Sequence, residues 1–181
     1  GLTLSEIAAS EKTPTALRQA AVQVETPHVR NMGTVGGNLC LDTRCNYYDQ
    51  NYEWRKAIDF CLKVDGKTCW VATASKRCVA VSSTDTAPAL IALDAAVTLV
   101  SSSGERSVKV GDLYKNDGIE YLSRRPDEIL TEVKVPADWK STYWKLRRRG
   151  SFDFPILGVA AALKFEGQRV TDARIALGAV A

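Results

Sequence analysis

The chain has 181 residues, 45% of them hydrophobic, and its 24 basic and 21 acidic side chains leave a formal net charge of +3. Such a composition suits one globular domain or two small ones with a real core, and the charge balance calls for no nucleic acid, membrane or acidic partner. No apolar run approaches the ~20 residues that span a bilayer, and a single His excludes a histidine-rich metal site.

Residues 2–25 read as two helices. Thr3 or Ser5 caps a first turn through Glu6, and Thr13-Pro14 reads as an N-cap followed by proline at the first helical position. Leu17, Ala20, Ala21 and Val24 then recur at i, i+3, i+4 and i+7, which makes one buried face. Thr26-Pro27 ends that helix. His28, with no second His to pair with, reads as a partly buried or surface residue.

A glycine-rich loop follows: Arg30-Asn31-Met32-Gly33-Thr34-Val35-Gly36-Gly37-Asn38-Leu39. Paired glycines beside Thr and Asn let backbone approach a bulky anionic ligand, because no Cβ intervenes. That outlines a phosphate or flavin cradle, although glycine pairs also mark ordinary turns. A Cβ at Gly36 or Gly37 is expected to clash with the ligand or with a loop held at φ > 0.

Cys40, Cys45, Cys61, Cys69 and Cys78 fall within 39 residues, and the other 142 residues hold no cysteine. From Cys45 onward the gaps match neither the paired knuckles of structural zinc nor the tight runs of bacterial ferredoxins, so spacing names no metal. An odd count and no signal peptide point to a reducing, cytoplasmic compartment, where thiols stay free or bind metal. A metal centre and unliganded thiols both remain open. Residues 41–79 are otherwise irregular, with one helix expected at 53–62. Their aromatic residues have too little regular structure to form a core, so a metal could anchor the segment; docking on the main domain or a partner is the other account.

Residues 79–81 read as a short strand, and Asp85 as an N-cap for an apolar helix over 86–93. Residues 96–100 and 106–110 form a hairpin about Ser103-Gly104-Glu105, with a short turn of helix from Val110 to Tyr114. Runs at 129–135, 142–149, 158–165 and 170–177 suggest a four-stranded antiparallel meander. Lys145 to Arg149 alternates with apolar residues on a strand and lacks a basic surface around it, which argues against nucleic acid.

The stretch from Arg30 to Leu39 resembles the second flavin-binding loop of the FAD domain in the xanthine oxidase (molybdenum hydroxylase) family. Within that family, the forty or so residues inserted after Cys40 resemble the insertion in the β subunit of the 4-hydroxybenzoyl-CoA reductase type. The resemblance implies an α+β fold of helices and mostly antiparallel sheet, with residues 1–135 forming the second lobe of the FAD domain, the iron–sulfur insertion at 41–79, and residues 136–181 opening a C-terminal lobe. It implies a 4Fe-4S cluster on Cys45, Cys61, Cys69 and Cys78, and FAD held by Thr34, Val35, Gly36, Gly37, Asn38, Asp85 and Lys145. Asp85 would accept from FAD hydroxyls, and Lys145 would stabilise charge on reduced flavin.

The same resemblance implies an oxidoreductase subunit with no catalytic residue of its own. It would pass electrons from a donor such as ferredoxin toward a molybdenum-cofactor subunit, beside a 2Fe-2S subunit, in a complex that removes a phenolic hydroxyl from an aromatic acyl-CoA. The family's first FAD lobe and the end of its C-terminal lobe are not recognisable in the chain, so weak FAD binding is expected of these residues alone. A cofactor-free or zinc-binding scaffold, or the FAD domain of another molybdenum hydroxylase, are the rival expectations.

Overall fold

The computed structural model describes residues 1–150 and 152–180. Helix α1 (Leu4–Ala9) opens with a full capping box: the Glu6 amide donates to Thr3 Oγ1, and the Thr3 amide donates to the Glu6 carboxylate at 2.7 Å. Helix α2 (Thr15–Gln23) buries Leu17, Ala20 and Ala21, with Val24 just beyond its end, as the spacing requires. The expected Thr13 cap is not made. Extended Pro14 occupies the N-cap position instead, and its ring offers no oxygen to a helix amide.

Thr26 does not merely end α2. Its hydroxyl accepts from the Val29 amide and starts α3 (Pro27–Met32), with Pro27 at N1, where its missing donor is not needed. The glycine stretch is likewise helical. Thr34 Oγ1 accepts from the Gly37 amide and caps α4 (Val35–Leu39), so Gly36 and Gly37 lie within a helical turn and not in the φ > 0 region. Their small size answers close packing: a Cβ on Gly36 would stand 3.3 Å from Leu130 Cδ2, and one on Gly37 3.3 Å from Thr34 Oγ1.

Strands β1 (Ala96–Ser101) and β2 (Gly104–Lys109) form the expected hairpin, turning at Gly104 with φ 125°, a conformation that favours glycine. Helix α7 (Val110–Leu113) follows directly. The four-stranded meander is corrected by the structure, because β3 (Ile129–Lys134) pairs antiparallel with β1, from Ala96↔Lys134 to Val100↔Ile129. One sheet therefore runs β2-β1-β3, and β4 (Lys140–Leu146), β5 (Leu157–Glu166) and β6 (Arg169–Gly178) make a second. The free edge of β1, carrying fully buried Val97 and Leu99, takes β3 before the chain reaches β4, and Pro136 cannot donate to a continuing ladder.

Helix α2 packs on β4 of the second sheet, and beside it α6 (Thr86–Ala92), whose Ala87, Ala89, Leu90 and Ala92 are buried, packs on β5 and β6. Ala160 and Ala162 on β5 are fully buried as well, and such small side chains let helix and sheet approach closely. Residues 79–81 form no strand, and a single bridge joins Arg44 to Val81, with amide–carbonyl bonds of 2.7 and 3.0 Å in both directions. That bridge closes the base of the insertion. Inside it, α5 (Tyr52–Ala57) is shorter than the expected 53–62, because Asp59 and Phe60 both turn left-handed. Among the described residues no helix is long and apolar enough to cross a membrane.

Candidate functional site

Helix α4 and the first turn of α6 are locked together by one amide. Asn38 Oδ1 accepts from the hydroxyls of Thr84 and Thr86, both at 2.6 Å, and more weakly from the Thr86 amide. All three residues are buried, so the network is satisfied within the protein.

Asp85 takes the N-cap position of α6 yet makes no cap bond, contrary to its reading as a helix cap. Its carboxylate turns to β4, accepting from Tyr143 Oη at 2.7 Å and Lys145 Nζ at 2.8 Å. Lys145 Nζ also donates to the Gln23 carbonyl at 3.0 Å. Burial pushes the Asp85 carboxyl above its ordinary value, while Lys145 and Tyr143 pull it down by hydrogen bonding and charge. Burial next to Asp85 raises the Tyr143 hydroxyl far above its usual range, so Tyr143 acts as a donor throughout. Asp85 and Lys145, read separately from the sequence, thus meet each other.

The glycine stretch separates two open grooves. Thr34, Gly37 and Asn38 face one groove, across from Arg44, Tyr48 and Phe154. Val35 and Gly36 face the other, against residues 129–133, and Thr34 and Gly37 border both. Phe154 carries the Arg44 guanidinium over its ring at 3.6 Å from the centroid. Gly37 puts no side chain into the first groove, and its amide is already given to Thr34 Oγ1. Neither Asp85 nor Lys145 lines either groove.

The structure brings Cys45, Cys61, Cys69 and Cys78 to the wall of one small cavity; Cys40 does not line it. All five thiols are free, and Cys61, Cys69 and Cys78 are buried. Among the described residues no three His, Cys, Asp or Glu side chains converge closely enough to hold a single metal ion. Burial pushes the Cys78 thiol up, and Cys69 and Cys45 add to the rise, while the Ala80 amide and Lys63 oppose it. The aromatic residues of the insertion pack around this cavity and around Arg55, whose guanidinium lies 5.8 Å from the Tyr48 ring centroid and 5.7 Å from that of Phe60.

Sequence reasoning missed Lys63 and Gly118. Lys63 lines the cysteine cavity, and the Gly118 amide donates to the Cys78 carbonyl at 2.8 Å. A Cβ on Gly118 would lie 2.7 Å from Cys78 Sγ. A glycine forty residues beyond a cysteine carries no local signal of that contact.

Residues 1–138 match the family model described as FAD binding domain in molybdopterin dehydrogenase, and residues 141–181 that of the CO dehydrogenase flavoprotein C-terminal domain. The aldehyde oxidoreductase FAD-binding subunit PaoB of Escherichia coli is 33% identical over 177 residues, covering 91% of this chain and 54% of that protein. The nicotinate dehydrogenase FAD-subunit of Eubacterium barkeri is 29% identical over 155 residues, covering 83% and 40%. Carbon monoxide dehydrogenase from Hydrogenophaga pseudoflava shares the fold at a TM-score of 0.67 and 21% identity, over 98% of this chain and 50% of that one. The chain spans about half the length of these relatives.

Proposed function

The chain belongs to the family of FAD binding domains in molybdopterin dehydrogenase, and from that membership we propose that it is the electron-transfer part of a molybdenum-dependent oxidoreductase, carrying a 4Fe-4S cluster beside FAD. One observation carries the cluster: Cys45, Cys61, Cys69 and Cys78, spread over the insertion, line a single cavity. A lone zinc ion draws its sulfurs to ~2.3 Å from one point. The wider arrangement here suits a polynuclear centre, whose thiolates sit on separate irons.

FAD lies, in this reading, along the groove of Thr34, Gly37 and Asn38, with Val35 and Gly36 setting the turn that presents them. Asp85 and Lys145 support the flavin region from beneath, fixing the first turn of α6 against β4. When bound, the flavin and cluster supply the electron exchange. The protein's own residues hold them, exclude water and set their surroundings. Residues 1–135 serve as the flavin lobe with its insertion at 41–79, and residues 136–181 as the start of a second lobe. The partners are a molybdenum-cofactor subunit, a 2Fe-2S subunit and a donor such as ferredoxin, in the cytoplasm, where free thiols persist.

The cysteine pattern favours an aromatic acyl-CoA reductase of the 4-hydroxybenzoyl-CoA type. A second reading, an aldehyde oxidoreductase, is favoured by the 33% identity to PaoB. Anaerobic purification with iron, sulfide, zinc and flavin analysis tests the cofactor reading. Iron and acid-labile sulfide in comparable amounts support it; a colourless protein holding zinc or no metal overturns it. Assay of the assembled complex with an aldehyde and with 4-hydroxybenzoyl-CoA separates the two substrate readings.

A further inference from the structure

Among the residues that line the cysteine cavity, one is charged: Lys63. Its side chain is 7% exposed, and a lysine so buried is rare unless paired. The ammonium spends its three donors on Asp42 Oδ1 at 2.8 Å, Thr43 Oγ1 at 2.6 Å and the Gly118 carbonyl at 2.8 Å. Thr43 Oγ1 in turn donates to the same Gly118 carbonyl. Gly118 is the residue that backs Cys78, so Lys63 ties the start of the insertion to the segment behind a proposed cluster ligand.

Its charge is compensated unevenly. Asp42 is half exposed, at 50%, so water screens the carboxylate on its outer side. Burial raises the Asp42 carboxyl, but the hydrogen bond and charge of Lys63 outweigh this, with help from Thr43 and Tyr48, and hold it below the usual range. The cavity side of Lys63 offers thiols and the Tyr48 ring, whose centroid is 4.8 Å from Nζ. Lys63 thus puts the one positive charge into the wall that the four cysteines share. Tyr48 also borders the groove of Thr34, Gly37 and Asn38, so this charge lies between the two proposed cofactor sites.

We propose that Lys63 sets the reduction potential of the cluster held by Cys45, Cys61, Cys69 and Cys78; the inference rests on the cluster reading given above. On taking one electron from a one-electron donor, such a cluster gains one negative charge, and no bond is made or broken. A fixed ammonium in its wall favours the reduced form and raises the potential. Lys63 is a positioning and tuning residue, touching no substrate.

The test is an EPR-monitored redox titration of the anaerobically purified protein and its Lys63→Met, Lys63→Arg and Asp42→Asn variants. At the wild-type midpoint, Lys63→Met is expected to lower the ratio of reduced to oxidised cluster on the order of tenfold, the size expected of one partly desolvated charge at an effective dielectric of about 20. Lys63→Arg should stay near wild type, and Asp42→Asn should raise the ratio, since it strips the compensating charge. If Lys63→Met loses its iron, the polar and uncharged Lys63→Gln decides: a lowered ratio supports the proposal, and an unchanged ratio or a second loss of iron overturns it. A merely structural lysine would alter stability while leaving the ratio of the iron-loaded Lys63→Met protein at the wild-type value. Full iron with an unchanged ratio in Lys63→Met overturns the role of Lys63 alone, whatever Asp42→Asn does, whereas a wild-type protein without iron and sulfide overturns the cluster reading and this inference with it.

Discussion

Asp85 and Lys145 stand 60 residues apart in the chain and meet at 2.8 Å, with side chains only 5% and 1% exposed. The pair fastens the first turn of α6 to β4. Asp85→Asn leaves the ammonium buried without its counter-charge and should cost about 3–5 kcal/mol, as breaking one half of a buried pair does. Adding Lys145→Met should recover part of that loss, because the unpaired charge goes with it. Urea unfolding of the two single variants and the double variant measures the coupling; simple additivity would mean that the pair is not a unit.

Gly118 marks a second constraint on the insertion. A Cβ there would lie 2.7 Å from Cys78 Sγ and 2.8 Å from the Ala80 amide nitrogen, both closer than packed atoms approach. Gly118→Ala should therefore push the Gly118 turn and Cys78 apart and destabilise the protein by about 1–3 kcal/mol, the usual cost of overpacking. In the cluster reading it should lower iron content as well. Denaturation and iron analysis on the same preparation report both effects, and an unchanged protein on both counts would show that the contact relaxes freely.

Those two contacts show where sequence reasoning stops. The buried face of α2, the Thr3–Glu6 box and the β1–β2 hairpin were legible because each rests on neighbours within a few residues. The clustering of cysteines was legible for the same reason. The pairing of β3 was not, since an antiparallel edge on β1 and one on β4 ask for the same alternating pattern, and the choice is made by which edge is free. Asp85 looked like a cap because Asp before an apolar run commonly is one; the carboxylate instead follows a lysine and a tyrosine on a strand that the sequence places far away. Gly36 and Gly37 looked like a φ > 0 loop, yet glycine also serves a tight helical turn, and only the nearness of Leu130 and Thr34 tells the two apart.

Cys40 and its four neighbours should separate in a substitution series. In the cluster reading, Cys45→Ser, Cys61→Ser, Cys69→Ser and Cys78→Ser each remove a ligand sulfur from the wall of one cavity and should strongly reduce iron content. Cys40 ends α4 and stands outside that wall, near Arg124, with its thiol raised chiefly by burial. Cys40→Ser should leave iron and sulfide at the wild-type level. Full iron in all four of the other variants would sink the ligand assignment.

Glu128 is one carboxylate through which acid should destabilise the protein. Its side chain is 1% exposed and is gripped by Arg106, with Nε to Oε1 at 2.7 Å and Nη2 to Oε2 at 2.9 Å, and by the Arg125 amide at 2.7 Å. The Arg106 hydrogen bonds, then the Arg125 amide, hold the carboxyl down at about 2 against burial, from an ordinary 4.5. A depressed carboxylate pKa means that the unfolded chain binds the proton more readily. The stability from this group is therefore complete above pH 4.5 and is lost as pH falls toward 2. Thermal melts across that window should show a falling midpoint in the wild type. In Glu128→Gln the midpoint should start lower at neutral pH, since the charge partner of Arg106 is gone, and should fall less steeply over the same range. Equal slopes in the two proteins would place the acid sensitivity on other carboxylates.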